Sequence, residues 1–285
     1  MQRKLKLIVP LLLASIFVAL VAAAQTVRTG GSVAWFGAFV ASSTLPLYLV
    51  SFVIAGGFAR TSPRLMPQQL IAVAGVVLSA YSALRGIATN GVAALVPLGL
   101  ALVGLAVFEW FVFVYSLYGR KKSAAVILWK PLPEVEFRAM DGRAVSVRDF
   151  VGARTLLVFF RGNWCPLCMA QLRELIEHAQ DFAALSVGVK LISNQSVEKM
   201  KELSGRLDLP AHFELLCDVD LRAAKTLSIE DIGGAPPGLP DYPADTVMAT
   251  AIALDEEGRV VFGDETNNFR VRPHPESLLQ AFRSL

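Results

Sequence analysis

The first 130 residues contain no cysteine, no histidine and a single acidic residue, Glu109. A half without thiol or imidazole cannot relay thiols across a bilayer, nor hold haem through the usual His ligands. Charge is missing too. Residues 7–27, 29–59 and 65–84 carry none, and 86–119 carry only Glu109. Each run can supply the roughly 20 apolar residues that span a bilayer core. Cysteine is scarce throughout, with three in 285 residues, and His178, His212 and His274 are widely separated and form no motif. What is abundant is apolar surface: 54% of residues are hydrophobic and the mean hydropathy is +0.51.

The excess lies before residue 120 and predicts four membrane helices, near Leu7–Ala24, Trp35–Gly57, Gln69–Ile87 and Val92–Tyr118. The short loops between them hold turn formers: Gly30-Gly31, Ser62-Pro63 and Asn90-Gly91. The first run also has the layout of a cleavable leader, basic before Leu7 and ending in Ala22-Ala23-Ala24. Kept or cleaved, it leaves the same topology. Arg3, Lys4, Lys6, Arg60, Arg64, Arg120, Lys121 and Lys122 then fall on one side, and only Arg28 and Arg85 on the other. That bias predicts cytoplasmic termini in a bacterial-type inner membrane protein with several crossings. The first 130 residues hold eleven Lys/Arg and one acid, a net of +10; the remainder holds sixteen and twenty-three, a net of −7. The basic pI of about 8.8 therefore describes the membrane flanks. An acidic soluble half argues against nucleic acid as a partner.

The expected organisation is a transmembrane region over 1–119, a linker over 120–132 and an α/β domain over 133–285. Val135–Phe137 and Ala144–Val147 read as a hairpin across Asp141-Gly142. Thr155–Phe160 is an apolar run suited to a central strand. Leu172, Leu175, Ile176, Ala179, Phe182 and Ala183 recur at helical spacing. Strands at Val187–Ile192 and His212–Leu216, helices near Val197–Leu207 and Asp220–Leu227, a hairpin of Thr246–Leu254 with Val260–Phe262, and a closing helix over Pro275–Phe282 follow. Between the apolar strand and the first helix stands Trp164-Cys165-Pro166-Leu167-Cys168. Cys-x-x-Cys opening a helix after a strand is the layout of a thioredoxin-type redox site. The helix N-terminus favours a thiolate at the first sulfur, and the second, one turn on, can close a disulfide and release what the first has captured. Structural zinc would need two more ligands, for which only Cys217 and His212 offer themselves.

Phe159-Phe160-Arg161-Gly162-Asn163-Trp164-Cys165-Pro166-Leu167-Cys168, with Gln171 to Leu175, resembles the peroxiredoxin-like branch of the alkyl hydroperoxide reductase/thiol-specific antioxidant (AhpC/TSA) family. Leu216 to Asp220 and the tail from Asp264 through Arg270, Arg272 and Pro273 resemble it also. The similarity covers about residues 131–285. It implies a thioredoxin fold and thiol-dependent reduction of peroxides or disulfides, with Cys165 attacking, Cys168 resolving, and Arg161 and Trp164 beside them. It implies no metal or tightly bound cofactor, and a thiol reductant such as thioredoxin or glutathione. Two features depart from the family: Gly162 and Val158 stand where a hydroxyl residue and a proline position the peroxide, and Met248 where a cis-proline faces the cysteines. Weak peroxide turnover, with disulfide exchange comparable or faster, is the expectation.

The remaining candidates carry bland readings beside functional ones. Cys217 reads as a small buried hydrophobe or a third redox group. Glu230–Asp245 reads as a loop bordering the site or a mere connection. Glu109, eleven residues before Arg120, should lie about 16 Å along the helix at ~1.5 Å per residue, near mid-bilayer, with Ser42, Ser43 and Thr44 as partners or as hydroxyls that satisfy a kink at Pro46. The membrane helices could alternatively be the working part, a small transporter or assembly subunit with a redox sensor attached. A domain outside the membrane would instead suit disulfide reduction during envelope maturation. The charge bias makes orientation testable. A C-terminal alkaline phosphatase fusion should be inactive and a fluorescent protein fusion bright, whereas the reverse pattern would put the redox motif outside.

Overall fold

The computed structural model describes residues 2–54, 58–236 and 238–285. They divide into two compact units, one of residues 3–54 and 62–116, the other chiefly of 58–61 and 117–285.

The first unit is helical: α1 (Gln2–Arg28), α2 (Val33–Ile54), α3 (Met66–Asn90) and α4 (Val96–Trp110), with a 3-10 turn over Gly91–Leu95 and a π-helical turn over Phe111–Tyr115. Three stretches are long and apolar enough to cross a membrane: Leu7–Arg28, Val33–Ser51 and the 50-residue Met66–Tyr115. Small residues bring the helices together. A Cβ on Gly75 would lie 2.6 Å from the Gly37 carbonyl oxygen and 2.7 Å from the Ala41 nitrogen. Pro46 lacks the N–H that would bond the Ser42 carbonyl four residues back. The Ser15 hydroxyl of α1 donates to that carbonyl instead, at 2.7 Å. Ser42, Ser43 and Thr44 spend their own hydroxyls on carbonyls of α2. Glu109 therefore does not draw on them; its partner is Gln69 Nε2, 3.3 Å away in the first turn of α3. The last apolar helix ends at Tyr115, and Leu117 already forms a β-bridge with Asn268. Tyr118 thus belongs to the second unit, not to a helix reaching it.

The second unit is built on β1 (Glu136–Ala139), β2 (Ala144–Ser146), β3 (Arg154–Phe159), β4 (Val187–Ser193), β5 (Phe213–Cys217), β8 (Thr250–Leu254) and β9 (Val260–Asp264), in the order β2-β1-β5-β4-β3-β8-β9. β3, β4 and β5 run parallel, and β8 returns antiparallel to β3. A two-stranded sheet pairs β6 (Glu230–Asp231) with β7 (Thr246–Val247). Leu157 and Phe159 join Ile192, Leu216 and Ile252 in one core. Leu156, Val158 and Phe160, pointing the other way by strand alternation, are buried as well. The central strand is therefore covered on both faces, which is why its sequence is a continuous apolar run. Helices α5 (Pro166–Glu177), α6 (Ala179–Ala184), α7 (Val197–Ser204), α8 (Arg222–Thr226) and α9 (Pro275–Arg283) complete a thioredoxin-like α/β arrangement. The expected helix over 172–183 breaks at His178, whose ψ of 15° is not helical. The expected strand Thr246–Leu254 is likewise two strands, because Met248 and Ala249 leave the ladder: Met248 donates to the Ile229 carbonyl and Ala249 to the Tyr118 hydroxyl.

Candidate active site

Strand β3 delivers the chain from a packed core into a tight turn, and the Cys165 N–H closes that turn on the Gly162 carbonyl at 3.1 Å. Cys165 has an extended backbone (φ −92°, ψ 107°) and caps α5, whose first residue is Pro166. Proline is suited there because its fixed φ is helical and a first-turn N–H would be unpaired anyway. No acidic residue occupies the first turn, so the positive end of the helix dipole faces the cysteines unopposed. The two sulfurs lie 2.9 Å apart, in hydrogen-bonding contact and both buried.

Two guanidiniums share this burial. Arg161 stacks on the Trp164 ring at 4.8 Å and on Phe269 at 5.5 Å, and its Nη2 donates to the Gly234 carbonyl. Arg272 is 4% exposed and donates from Nη1 to the Val271 carbonyl. Burial works against the charge on Arg161, but Tyr118, both sulfurs and Asp231 more than offset it. The sulfurs respond in opposite directions. Burial works against ionisation of Cys168, yet a hydrogen bond with Cys165, then the nearby Arg272 and Arg161, draws its thiol down to about 6. The same bond, followed by burial, pushes Cys165 well above its ordinary value. The pair's negative charge is therefore drawn toward Cys168, although the helix terminus alone would favour Cys165. Cys165, at the N-cap, is ready to attack once the shared proton crosses the 2.9 Å to Cys168.

The residues named from sequence come together here: Cys165, Cys168, Trp164 and Arg161 form one cluster. The Glu230–Asp245 loop borders it through Gly234, and Asp231 Oδ2 stands 3.9 Å from Arg161. Burial raises Asp231 to about 6, with Arg161 opposing. Cys217 stays apart. It ends β5 and lines a cleft of about 500 Å³ with Glu134, Arg138, Asp218 and Asp220, a cleft that neither active-site cysteine lines. Burial pushes its thiol up to about 11. Sequence reasoning quoted Arg272 but gave it no role. It missed Asp231, and it missed the Asn163–Gln195 pair, in which the Asn163 N–H donates to Gln195 Oε1 and Gln195 Nε2 donates back to Asn163 Oδ1.

Arg272 is held from outside the sheet. Arg60 forms a bidentate ion pair with Glu174 of α5, its Nη1 2.7 Å from Oε1, and also donates to the carbonyls of Arg272 and Pro273. Thr61 donates its N–H to the Arg270 carbonyl and accepts from Arg270 Nη1. On the opposite flank Arg120 bonds Thr250 Oγ1 at 3.0 Å and Glu265 at 3.4 Å.

Gly162 is fixed by geometry. Its φ of +143° suits glycine alone, and a Cβ would meet Trp164 Nε1 at 2.7 Å and Gln195 Oε1 at 3.2 Å. A hydroxyl cannot be added here. Gly162→Thr should cost about 1–3 kcal/mol in backbone strain alone and slow thiol alkylation by displacing Trp164. Denaturant unfolding with a parallel alkylation assay checks this, and wild-type stability would refute it.

Comparison with known proteins agrees with this geometry. Residues 129–262 match the AhpC/TSA family model. Peroxiredoxin Bcp of Bacillus subtilis (strain 168) is 22% identical over 157 residues, covering 54% of this chain and 92% of that protein. The putative chloroplastic peroxiredoxin Q of Oryza sativa subsp. indica is 27% identical over 154 residues, covering 54% of this chain and 65% of that one. Among solved structures, Peroxidoxin BcpB from Mycobacterium tuberculosis aligns with 55% of this chain and 97% of its own, at 18% identity and a TM-score of 0.44. A matching sequence model and a paired-cysteine site on a thioredoxin-like sheet lead to one conclusion: the C-terminal half of this chain is a peroxiredoxin-like domain of the AhpC/TSA family.

Proposed function

We propose that the protein is a membrane-anchored thiol oxidoreductase that reduces peroxides or protein disulfides through Cys165 and Cys168. The domain is a thiol-dependent oxidoreductase by its similarity to the AhpC/TSA family. The observation that carries it is the buried sulfur contact of 2.9 Å beside the buried Arg272 and the Arg161 side chain, which is 10% exposed. With a hydroperoxide, the Cys165 thiolate attacks the terminal oxygen, forming an S–O bond as the O–O bond breaks. The alkoxide that leaves takes a proton and departs as alcohol. Cys168 then attacks the sulfenic sulfur, a disulfide forms, and hydroxide leaves as water. An external dithiol such as thioredoxin, or glutathione, restores both thiols. With a disulfide substrate the first step is instead a mixed disulfide. Arg161 and Arg272 hold negative charge during either attack, and Trp164 shields the sulfurs from water.

The membrane part of the proposal is four crossings over 1–119 with the redox domain, 133–285, cytoplasmic. Packing of α3 against α4 supports a fold-back within the 50-residue apolar stretch, at Asn90–Leu95. The transporter alternative loses support where Ser42, Ser43 and Thr44 donate to carbonyls of their own helix.

The test uses full-length protein in detergent, because residues 117–132 are laid onto the domain and a fragment starting at 131 would lack them. Ser123 donates to the Leu227 carbonyl, Trp129 to Val260, and Leu132 to Gly258. One equivalent of cumene hydroperoxide should convert the reduced pair to a Cys165–Cys168 disulfide, read by mass spectrometry. Cys165→Ser should abolish the reaction, and Cys168→Ser should halt it at sulfenic acid or a mixed disulfide. Undiminished turnover by Cys165→Ser would sink the assignment.

A further inference from the structure

Unpaired buried donors outnumber unpaired acceptors at the site, where Asp231 Oδ2, 3.9 Å from Arg161, also lacks a hydrogen bond. Among the described residues, Arg161 Nε, Arg272 Nε and Arg272 Nη2 are buried with no partner. The Tyr118 hydroxyl, on a residue 8% exposed, accepts from the Ala249 N–H at 3.2 Å and donates to no acceptor among the described residues. Unpaired buried donors of this kind are costly, each on the order of 1–3 kcal/mol. Their common need is an oxygen acceptor.

Register puts Tyr118 at the right end of the sheet. Thr250 of β8 pairs with Phe159 of β3, so Ala249 stands level with Phe160, just before the turn that carries the cysteines. The Tyr118 ring packs edge-on against Phe269 at 6.3 Å, and Phe269 lies under Arg161. The Tyr118 hydroxyl and both sulfurs act on the same two guanidiniums. The residue is anchored by its own N–H to the Asn267 carbonyl and by the neighbouring Leu117–Asn268 bridge.

We propose that Tyr118 is a further catalytic residue, the acid that protonates the alkoxide leaving when Cys165 attacks an organic hydroperoxide. The proposal rests on the peroxide reading of the Cys165 site. In the step, S–O bond formation expels RO⁻, Tyr118 passes its proton to that oxygen, and the alcohol ROH departs. The phenolate left behind lies beside Arg161 and Arg272 and takes the proton of Cys168, which becomes the thiolate that closes the disulfide. Burial raises the Tyr118 pKa, with Arg272 and Arg161 opposing, so the hydroxyl is protonated at neutral pH and has a proton to give. Tyr118 thereby supplies the hydroxyl that Gly162 has no room to carry. It lies outside the matched residues 129–262, so no family pattern assigns it this work.

The experiment compares two leaving groups on the reduced full-length protein in detergent. Cumene hydroperoxide expels a basic alkoxide that needs the proton, whereas peracetic acid expels a carboxylate that does not. General acid catalysis contributes typically about 10²–10⁴ in rate. Tyr118→Phe should slow cumene hydroperoxide about 10²-fold and peracetic acid less than about 3-fold, with an unfolding midpoint close to wild type. Equal losses with both oxidants, or no loss with either, would overturn the inference, since a merely structural ring would not sort substrates by leaving group. Arg120→Leu, which loosens the Ala249–Thr250 flank without removing the acid, should slow both alike; selectivity matching that of Tyr118→Phe would overturn it too. A wild type inert to both oxidants would bring down the peroxide reading itself, a result distinct from equal losses in an active enzyme.

Discussion

The buried pairing of sulfur with guanidinium organises this domain. An isolated thiolate would not survive in an apolar interior, because transfer from water costs more than any single contact returns. Here Arg161 and Arg272 make the charge tolerable, and they need support in turn. Asp231 and the Gly234 carbonyl hold Arg161 from the 230–245 loop, while Trp164 and Phe269 cover its faces. Arg272 depends on a backbone fixed by Arg60, which also grips Glu174 on the cysteine helix. Even Gly162 follows from the same demand, since only a residue without Cβ lets Trp164 close over the turn.

The helical unit meets a similar demand with neutral groups. Pro46 opens a carbonyl in an apolar setting, and one hydroxyl from a neighbouring helix closes it. Gly37 and Gly75 permit the close backbone approach of α2 and α3. The chain segments joining this unit to the domain, 58–61 and 117–132, are bound along the domain surface by named hydrogen bonds.

Much of this was legible in the residues. The strand over 155–160 showed as an unbroken apolar run because both faces are covered, and Cys-x-x-Cys after it marked the site. The Arg161–Trp164 cluster could be named because it lies within a few residues of the motif. What could not be read depends on contacts across long sequence separations. Tyr118 looked like the end of an apolar helix, yet that helix stops at Tyr115 and Tyr118 answers to Ala249, 131 residues away. Arg60 looked like a topological charge and proves to pair with Glu174. The helix terminus alone favours a thiolate on Cys165; the arginines and the second sulfur, which local reasoning weighs least, draw the Cys168 thiol down as well.

The account stands on one thiolate stabilised below the surface. Ultraviolet thiolate absorbance, titrated on the reduced full-length protein in detergent, reads it without reference to any substrate. One equivalent should form with a midpoint near 6, the other two thiols should ionise only above the free-thiol value of about 8.5, and Arg272→Gln should move the first midpoint upward. A first ionisation at about 8.5 or higher, unmoved by Arg272→Gln, would contradict the account.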